Sequence, residues 1–350
     1  MFHLLFASAF AQGNALNPDI AFIADIAAAG FSGDPLQTGA HDPQQNGFNL
    51  QQLELSVGQA VDPYFRFDGN IVFAQFGVEI EEVYATTLGL PGGTQIRAGQ
   101  FLTRFGRHNP THPHTWDFAD QPWVTGRVMG AEGNRGLGVE GSWLAPTPFY
   151  LELVVSETML GGAATNRSWS DFSGVEGPFD LQTTASAKTF LAPHDDLSVL
   201  AGVSWAVGPN GTGRDNRSEL FGGDVTLKYR PITRASGHQI ALTSEWIQRR
   251  RQLPGELVTD WTGLTALTWR NQRVGLGARH ELGTPSTGSD PLDPAWVANR
   301  HRWSGAATYW PTEFSRLRLQ GARDTGIDAP LYSVFLAFEF AVGAHGSHAF

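Results

Sequence analysis

The sequence predicts an all-β transmembrane protein, an antiparallel β-barrel of about 16 strands. Three observations lead to this fold class. Apolar and polar residues alternate with a period of two along most of the 350 residues. The alternating segments run for about 9–13 residues, close to the 9–11 tilted residues that cross a bilayer. The connections between them alternate between short turns and long loops, as in barrels of the bacterial outer membrane.

The composition excludes several other classes. The chain carries 24 basic and 34 acidic residues, a net charge of −10, and its charged fraction of 17% is below the roughly 25% of soluble domains. This balance leaves no basic stripe for nucleic acid. The chain has no cysteine, which excludes disulfides and thiolate metal sites. A hydrophobic fraction of 41% argues against disorder, and the absence of an 18-residue apolar run argues against a helical membrane bundle.

The amino terminus has the features of an export signal. Residues 1–11 are apolar and end in Ala9-Phe10-Ala11, which fits an A-x-A cleavage site. The segment lacks Lys and Arg before its apolar core, which departs from the usual pattern. We therefore expect a signal peptide over 1–11 and a single barrel domain over 12–350. The alternative is an apolar first strand that stays in the protein.

The strands follow from the alternation. In Tyr64–Phe73, the residues Phe65, Phe67, Ile71 and Phe73 share one face, opposite charged and amide side chains. A sheet that crosses hydrocarbon needs a partner for every backbone group and so has to close on itself. An even number of strands returns both termini to the same side of the membrane. We expect strands to begin near residues 18, 48, 64, 77, 94, 136, 149, 185, 197, 218, 238, 259, 273, 302, 315 and 331.

The connections differ in length on the two sides of the predicted barrel. Short turns such as Asp62-Pro63 and Leu90-Pro91-Gly92-Gly93 alternate with longer segments. Tyr and Trp recur near the expected strand ends, where aromatic rings anchor a barrel at the membrane interface. The expected long loops cover 30–47, 103–135, 159–184, 208–217, 250–258, 283–301 and 324–330.

One stretch resembles a known family. An acidic, aromatic segment beginning at Gly77-Val78-Glu79-Ile80-Glu81 leads to Arg97-Ala98-Gly99-Gln100-Phe101, and Trp116–Val124 supplies a further aromatic and acidic block. These 60 or so residues resemble the phosphate-selective porin O and P family of Gram-negative bacteria. The resemblance implies a 16-stranded outer-membrane barrel, often trimeric. Leu102 and Arg104 stand where the family has Lys and Pro, and no run of inward Lys and Arg suggests a phosphate ladder.

A tight connection near Gln75-Phe76-Gly77 occupies the second loop position, so the loop over 103–135 is the third, and it is the expected functional element. Porins of this size fold this loop into the lumen, where its side chains set the bore and field of the channel. The alternative is an outer loop tied to the wall by ordinary ion pairs. The residues that we expect to line the lumen or its constriction are Arg66, Asp68, Glu79, Glu81, Arg97, Arg104, Arg107, Asp117, Asp120 and Arg127.

We expect three arginines, Arg97, Arg104 and Arg107, to bind anions together. Alternation on the fifth strand turns Arg97 toward the lumen, and the other two open the long loop beside it. Guanidinium groups stay charged at physiological pH and bind oxyanions with a forked geometry. We expect the three to form one positive rung on the channel wall.

Three histidines in the same loop, His108, His112 and His114, could bind Zn²⁺ or Cu²⁺. The intervening Pro110 and Pro113 force an extended path, so His108 would have to curl back. The alternative is a polar loop whose imidazoles bond to backbone or water. The sequence predicts no other cofactor.

No catalytic motif appears. Gly202-Val203-Ser204-Trp205-Ala206 lacks the closing glycine of a nucleophile elbow, so we do not predict an enzyme. We expect a passive channel of the bacterial outer membrane for small hydrophilic solutes, including anions such as phosphate. Membrane lipid and copies of the chain in a homotrimer are the expected partners. The alternative is a surface-interaction or metal-binding barrel with a plugged lumen.

Overall fold

A computed structural model describes residues 18–74, 77–169, 177, 180–213, 215–231 and 237–343. The described chain forms one closed antiparallel barrel of 16 strands, and the predicted fold class is confirmed. The strands are β1 (Asp19–Phe31), β2 (Gly47–Ala60), β3 (Phe65–Ala74), β4 (Gly77–Thr87), β5 (Thr94–Leu102), β6 (Arg135–Leu144), β7 (Tyr150–Thr158), β8 (Gln182–His194), β9 (Leu197–Pro209), β10 (Arg217–Tyr229), β11 (His238–Leu253), β12 (Glu256–Asn271), β13 (Val274–Gly283), β14 (Arg300–Thr312), β15 (Ser315–Thr325) and β16 (Leu331–Gly343).

Each strand pairs with its sequence neighbours, and β1 pairs with β16 to close the sheet. The closing register runs from Ala21 opposite Gly343 to Phe31 opposite Ser333. Closure leaves the sheet without a free edge, which a membrane-spanning sheet requires. Every predicted strand start falls within three residues of the observed one.

The two faces of the barrel differ in chemistry. On β15, Leu317 and Leu319 point outward and are exposed, whereas Arg316, Arg318 and Gln320 point inward and are buried. The same alternation of exposed apolar and buried polar residues recurs around the sheet. An apolar exterior suits lipid, and a polar interior is the usual filling of an outer-membrane barrel. The fold is therefore that of an outer-membrane barrel.

Most predicted loops appear, with one correction. Residues 103–134 connect β5 to β6, and we call this segment the third loop. The loop expected over 250–258 is wrong, because β11 and β12 continue into it and pair Leu253 with Glu256. Pro254-Gly255 makes a two-residue turn there, and Gly255 supplies the positive φ of 83°. A two-residue hairpin of this kind favours glycine.

The hydrophobic core lies between the third loop and the wall. Phe105, Phe118, Val124, Val128 and Met129 of the loop are all buried. With Trp169, they pack against inward residues of five strands, which are Ala206, Leu220, Ile247, Leu264, Ala266 and Ala306. Apolar residues on the inner face of β9–β14 thus have loop side chains, not solvent, as their neighbours.

Helix is scarce. The third loop contains one short helix, α1 (Trp123–Gly126), and single turns of 3₁₀ helix occur at Pro91–Gly93, Pro113–Thr115 and Arg167–Trp169. Within the described ranges, no helix has the length and apolarity needed to cross a bilayer. The expected signal peptide over 1–11 lies outside the described residues.

Candidate functional site

The third loop contacts strands all around the barrel. It is anchored at β5 and β6, yet Asp120 receives a hydrogen bond from Nη2 of Arg279 on β13 at 2.5 Å, eight strand positions from β5. Arg318 on β15 donates to the carbonyl of Trp116 at 2.6 Å. These partners are inward-facing side chains of the barrel wall. Hydrogen bonds therefore attach the third loop to the inner face of the barrel far from its two ends.

Arg97 and Arg104 are bound by carboxylates of neighbouring strands. Nη2 of Arg97 lies 2.9 Å from Oε2 of Glu140, and Nε of Arg104 lies 2.9 Å from the other oxygen of the same carboxylate. Arg104 also donates to Glu152 at 2.7 Å. The Arg97 guanidinium lies 4.2 Å from the ring centroid of Phe101, a cation–π distance. These two guanidinium charges are therefore compensated locally.

Arg107 lies elsewhere, in a cavity of about 150 Å³. This cavity, which we call the basic cavity, also contains Lys228 of β10, Arg270 of β12 and the exposed carboxylate of Asp117. Three cations and one carboxylate thus line this cavity, and the charges of Asp224 and Glu245 also act on Arg107. The structure does not bring Arg97, Arg104 and Arg107 into one rung.

A second cavity of about 300 Å³ lies between β2–β5 and the third loop. Its walls carry both charge signs, and Nε of Arg66 donates to Asp68 at 2.8 Å beside it. The lining residues are Ser56, Val57, Asp68, Asn70, Glu82, Tyr84, Arg97, Leu102, Arg104, Pro110 and His112. We call it the mixed cavity.

Three histidines and four glutamates gather next to the mixed cavity, and we call them the histidine–glutamate cluster: His41, Glu54, Glu81, Glu82, His112, His114 and Glu132. Nδ1 of His112 lies 3.1 Å from Glu81, and its Nε2 lies 2.9 Å from Glu82. Nδ1 of His114 lies 3.1 Å from Oε2 of Glu54. The cluster therefore joins the third loop to β2 and β4.

Two imidazoles of the cluster, His41 and His112, have raised pKa values because of these carboxylates. Burial alone would lower the pKa of His41, but the hydrogen bond and charge of Glu132 outweigh it and raise the pKa to about 9. Burial likewise opposes protonation of His112, whereas the charges of Glu81 and Glu54 raise its pKa well above the usual range. Ionised histidines thus balance buried carboxylates.

His108 does not belong to this cluster. Its Nδ1 lies 2.6 Å from Oε2 of Glu245 on β11, and its backbone N–H donates to the same oxygen at 3.0 Å. β11 is seven strand positions from β4. The structure brings His112 and His114 together, with ring centroids 5.6 Å apart, but places the third histidine of the predicted metal set on another wall.

Asp120 is the central anchor of the third loop. It is fully buried and accepts hydrogen bonds from Arg279, from Arg302 at 3.2 Å and from Gln320 at 2.7 Å. Burial alone would raise the pKa of this carboxyl group, but the two arginine charges and the Gln320 hydrogen bond hold the pKa below its ordinary 3.8. Asp120 therefore binds the wall as an anion.

Arg127 is a second anchor. Its guanidinium lies 3.4 Å from Asp260 of β12 and 3.3 Å from Asp293 in the loop before β14. Arg249 of β11 contacts the same two carboxylates. Burial lowers the pKa of Arg127 to about 10 despite these partners. All four side chains are buried, so the network ties two loops to the inner wall.

The ten predicted lining residues divide by exposure. Six are exposed or half-buried, which are Arg66, Asp68, Glu79, Arg104, Arg107 and Asp117. Four are buried, which are Glu81, Arg97, Asp120 and Arg127. Glu81 contacts the third loop, Asp120 and Arg127 belong to it, and Arg97 binds Glu140 of β6. The six others are at least partly accessible to water.

Sequence reasoning missed Glu82. Asn70 pairs with Glu82 while Ile71 pairs with Ile80, so Glu81 is the extra residue of a β-bulge in β4. The bulge turns both Glu81 and Glu82 inward, and both are buried. The signal was present in the sequence, since two adjacent glutamates interrupt the alternation of the strand.

The comparisons with solved structures agree with the barrel architecture. The chain is similar to the outer-membrane channel DcaP of Acinetobacter baumannii, with a TM-score of 0.62, 12% identity and coverage of 93% and 96% of the two chains. The anion-selective porin from Comamonas acidovorans gives a TM-score of 0.61, 9% identity and coverage of 93% and 99%. The trimer form of OmpT, an outer-membrane protein of Vibrio cholerae, gives a TM-score of 0.57 and 10% identity, with coverage of 93% of this chain and 99% of that one.

At these identities the similarity shows the porin fold alone. No family model matches the sequence, so membership of the phosphate-selective porin O and P family stays a prediction. A curated relative is more informative about ancestry. An uncharacterized protein of Aquifex aeolicus is 32% identical over 344 residues, covering 88% of this chain and 71% of the relative. The chain, an outer-membrane barrel of the porin fold, belongs to the same family as this Aquifex aeolicus protein.

Proposed function

We propose that the protein is a passive outer-membrane channel for small hydrophilic solutes and that it favours anions. The observation that carries the proposal is the basic cavity, whose lining contains the cations Arg107, Lys228 and Arg270 and the carboxylate of Asp117. Asp224 and Glu245 also lie near Arg107 but outside this lining. An excess of cations in a water-accessible space attracts anions even in a chain of net charge −10. Guanidinium groups bind oxyanions such as phosphate with two parallel hydrogen bonds.

The opposite wall carries carboxylates that histidines of the third loop compensate. Glu54 on β2 and Glu81 and Glu82 on β4 lie across the ring from Lys228 on β10 and Arg270 on β12. We infer that the third loop forms the constriction between these walls, because its contacts extend from β4 and β2 to β13 and β15.

The motif shared with the phosphate-selective family has a structural role here. Gly99 adopts a φ of +138°, and a Cβ at this position would lie 2.2 Å from the carbonyl oxygen of Val83. Only glycine allows β5 to approach β4 so closely. Phosphate selectivity is therefore proposed from the basic cavity, and the Arg97–Phe101 motif is assigned to barrel construction.

The test is the single-channel conductance and the reversal potential of the folded protein in a planar bilayer under a KCl gradient. We expect discrete open steps and a reversal potential on the anion-selective side. Replacing Arg107, Lys228 and Arg270 together with Gln should shift the reversal potential toward cation preference. Addition of phosphate should reduce chloride current in the wild type more than in the variant.

A matched control removes three outward or peripheral cations, Arg217, Arg250 and Arg323, from β10, β11 and β15. The control variant should keep the wild-type reversal potential, since these charges lie outside the basic cavity. Faster gel migration of the unheated sample verifies that each barrel is folded. An equal reversal potential in the wild type and the cavity variant would contradict the proposed anion preference.

The hydrophobic core inside the barrel favours one alternative, a plugged barrel that binds a partner at its surface. Phe105, Val124 and Met129 of the third loop fill space that a wide channel would leave to water. The bilayer measurement separates the two functions. A folded wild type without open steps would contradict the channel and favour the plugged barrel.

We also propose a homotrimer in the membrane. The support is the fold, which is shared with the trimer form of OmpT. Native mass spectrometry of the detergent-extracted protein tests the assembly. A mass of a single chain under conditions that keep the barrel folded would contradict it.

A further inference from the structure

The β4 bulge creates an unusual concentration of ligand atoms. It turns the adjacent Glu81 and Glu82 inward, toward the imidazole of His112 in the third loop. Glu54 reaches the same place from β2. One ligand atom each of Glu54, Glu81 and His112 lie within 4.8 Å of one another. Three elements distant in sequence thus converge on a single point.

The donor chemistry fits a divalent transition-metal cation. Carboxylate oxygens and one imidazole nitrogen are common ligands of Zn²⁺, and the remaining coordination positions can be filled by water. In such sites the second imidazole nitrogen usually donates to a carboxylate, which fixes the ring. His112 has this arrangement already, since Nδ1 faces Glu81 while Nε2 contacts Glu82 at 2.9 Å.

Two further observations point to a ligand at this place. Oε2 of Glu54 is buried, and Nδ1 of His114 lies 3.1 Å from it. The mixed cavity of about 300 Å³ is lined by Glu82 and His112, so its space reaches two members of the cluster. Buried carboxylates are costly unless cations approach them, and Glu54, Glu81 and Glu82 are all buried around His112.

We propose that Glu54, Glu81 and His112 bind one divalent transition-metal cation, with Glu82 as the positioning residue that orients the imidazole of His112. The cation replaces the proton between His112 and Glu81 and compensates the buried carboxylates. It connects the third loop to β2 and β4. The site differs from the three histidines singled out by the sequence, because His108 lies on Glu245 and takes no part.

The experiment uses the full folded chain in detergent, dialysed against a chelator and then titrated with ZnCl₂. Bound zinc is measured by elemental analysis after equilibrium dialysis, and folding is checked by the migration of the unheated sample. We expect one high-affinity Zn²⁺ per chain. His112→Gln should remove it, and Glu82→Gln should weaken binding by about 10–100-fold.

His108→Gln is the matched control, since it removes an imidazole from the same loop outside the site. His280→Gln is a second control, because His280 contacts His301 on another part of the barrel, at 3.1 Å. Both should keep wild-type zinc binding. His112 lies in a loop, so its variant tests the site even where Glu81→Gln fails to fold.

The proposal is overturned if folded His112→Gln binds zinc as tightly as the wild type, or if His108→Gln loses it. It is also overturned if the wild type binds no zinc at a concentration that saturates a reference chelator of micromolar affinity. None of these results depends on conductance, so they leave the channel proposal to its own test.

Discussion

Asp120 shows how one side chain can hold a long loop in place. Its carboxylate bridges Arg279 and Arg302, two buried cations that also contact Glu281 and Asp324. The Asp120→Asn variant keeps the shape but removes the charge. Breaking a buried ion pair from one side costs about 3–5 kcal/mol, so we expect the free energy of unfolding in urea to fall by about 3 kcal/mol.

The pH dependence of the same contact has a definite sign. The pKa of Asp120 is lowered in the folded state, so its contribution is complete above the ordinary value of 3.8 and is lost as the pH falls through the lower folded value. The difference in unfolding free energy between wild type and Asp120→Asn should therefore shrink in acid. Asp117→Asn removes an exposed carboxylate of the same loop and should change stability little. Equal unfolding free energies of the wild type and Asp120→Asn at neutral pH would show that Asp120 does not stabilise the third loop.

At the scale of the strand, position relative to the membrane decides the cost of a charge. Leu319 lies in the middle of β15 with half of its side chain exposed on the outer face. Leu319→Arg should destabilise the barrel by about 2–4 kcal/mol, because a charge at the bilayer midplane has no water. Urea unfolding from lipid vesicles, followed by tryptophan fluorescence, measures the change.

Leu88→Arg provides the comparison. Leu88 is also exposed and apolar, but it lies at the turn that follows β4. The expected cost near an interface is about 0–1 kcal/mol. Equal costs at the two positions would show that Leu319 does not face lipid.

The contact between loop and wall also depends on one small residue. A Cβ at Gly222 of β10 would lie 2.7 Å from the ring of Phe105, whereas one at Gly223 would meet nothing within 4 Å. We expect Gly222→Val to displace Phe105, at a cost of about 1–3 kcal/mol, and to loosen the third loop. Trypsin cleavage after Arg107 or Arg127 in the folded barrel should then accelerate.

Gly223→Val is the control on the opposite face of the same strand. It should leave the cleavage rate unchanged, since its side chain points away from the loop. Similar cleavage in the two variants would mean that Phe105 packing does not hold the third loop.

At the scale of the whole molecule, the strand pattern was readable from sequence and the partners of the loop were not. The alternation around Phe65 and Phe67 reflects a local rule, because neighbouring residues of a strand face opposite sides. The contact of His108 with Glu245 spans 137 residues and depends on barrel closure. No local pattern encodes such a distance, and this is why the sequence placed His108 with His112.

The ion pairs of the lumen, like the contact of His108, could not be predicted from local sequence. Sequence alternation correctly turned Arg97 inward, but it could not reveal that Glu140 of the neighbouring strand would bind it. Register decides this pairing, since Arg97 lies directly opposite Glu140. The prediction of a loop over 250–258 was wrong for a related reason. Pro254-Gly255 can end a strand or make a tight hairpin, and only the pairing of β11 with β12 decides between them.

The extra residue in β4 also determines where this strand tolerates a change in length. Loss of Glu81 would bring Glu82 into regular alternation and leave Ile80 and Val83 facing lipid as before. Loss of a residue elsewhere in the strand would rotate one end by half a turn and carry charged side chains into the hydrocarbon. Related chains that lack one residue in this strand should therefore lack it at Glu81, and they would lose the paired carboxylates while keeping the barrel.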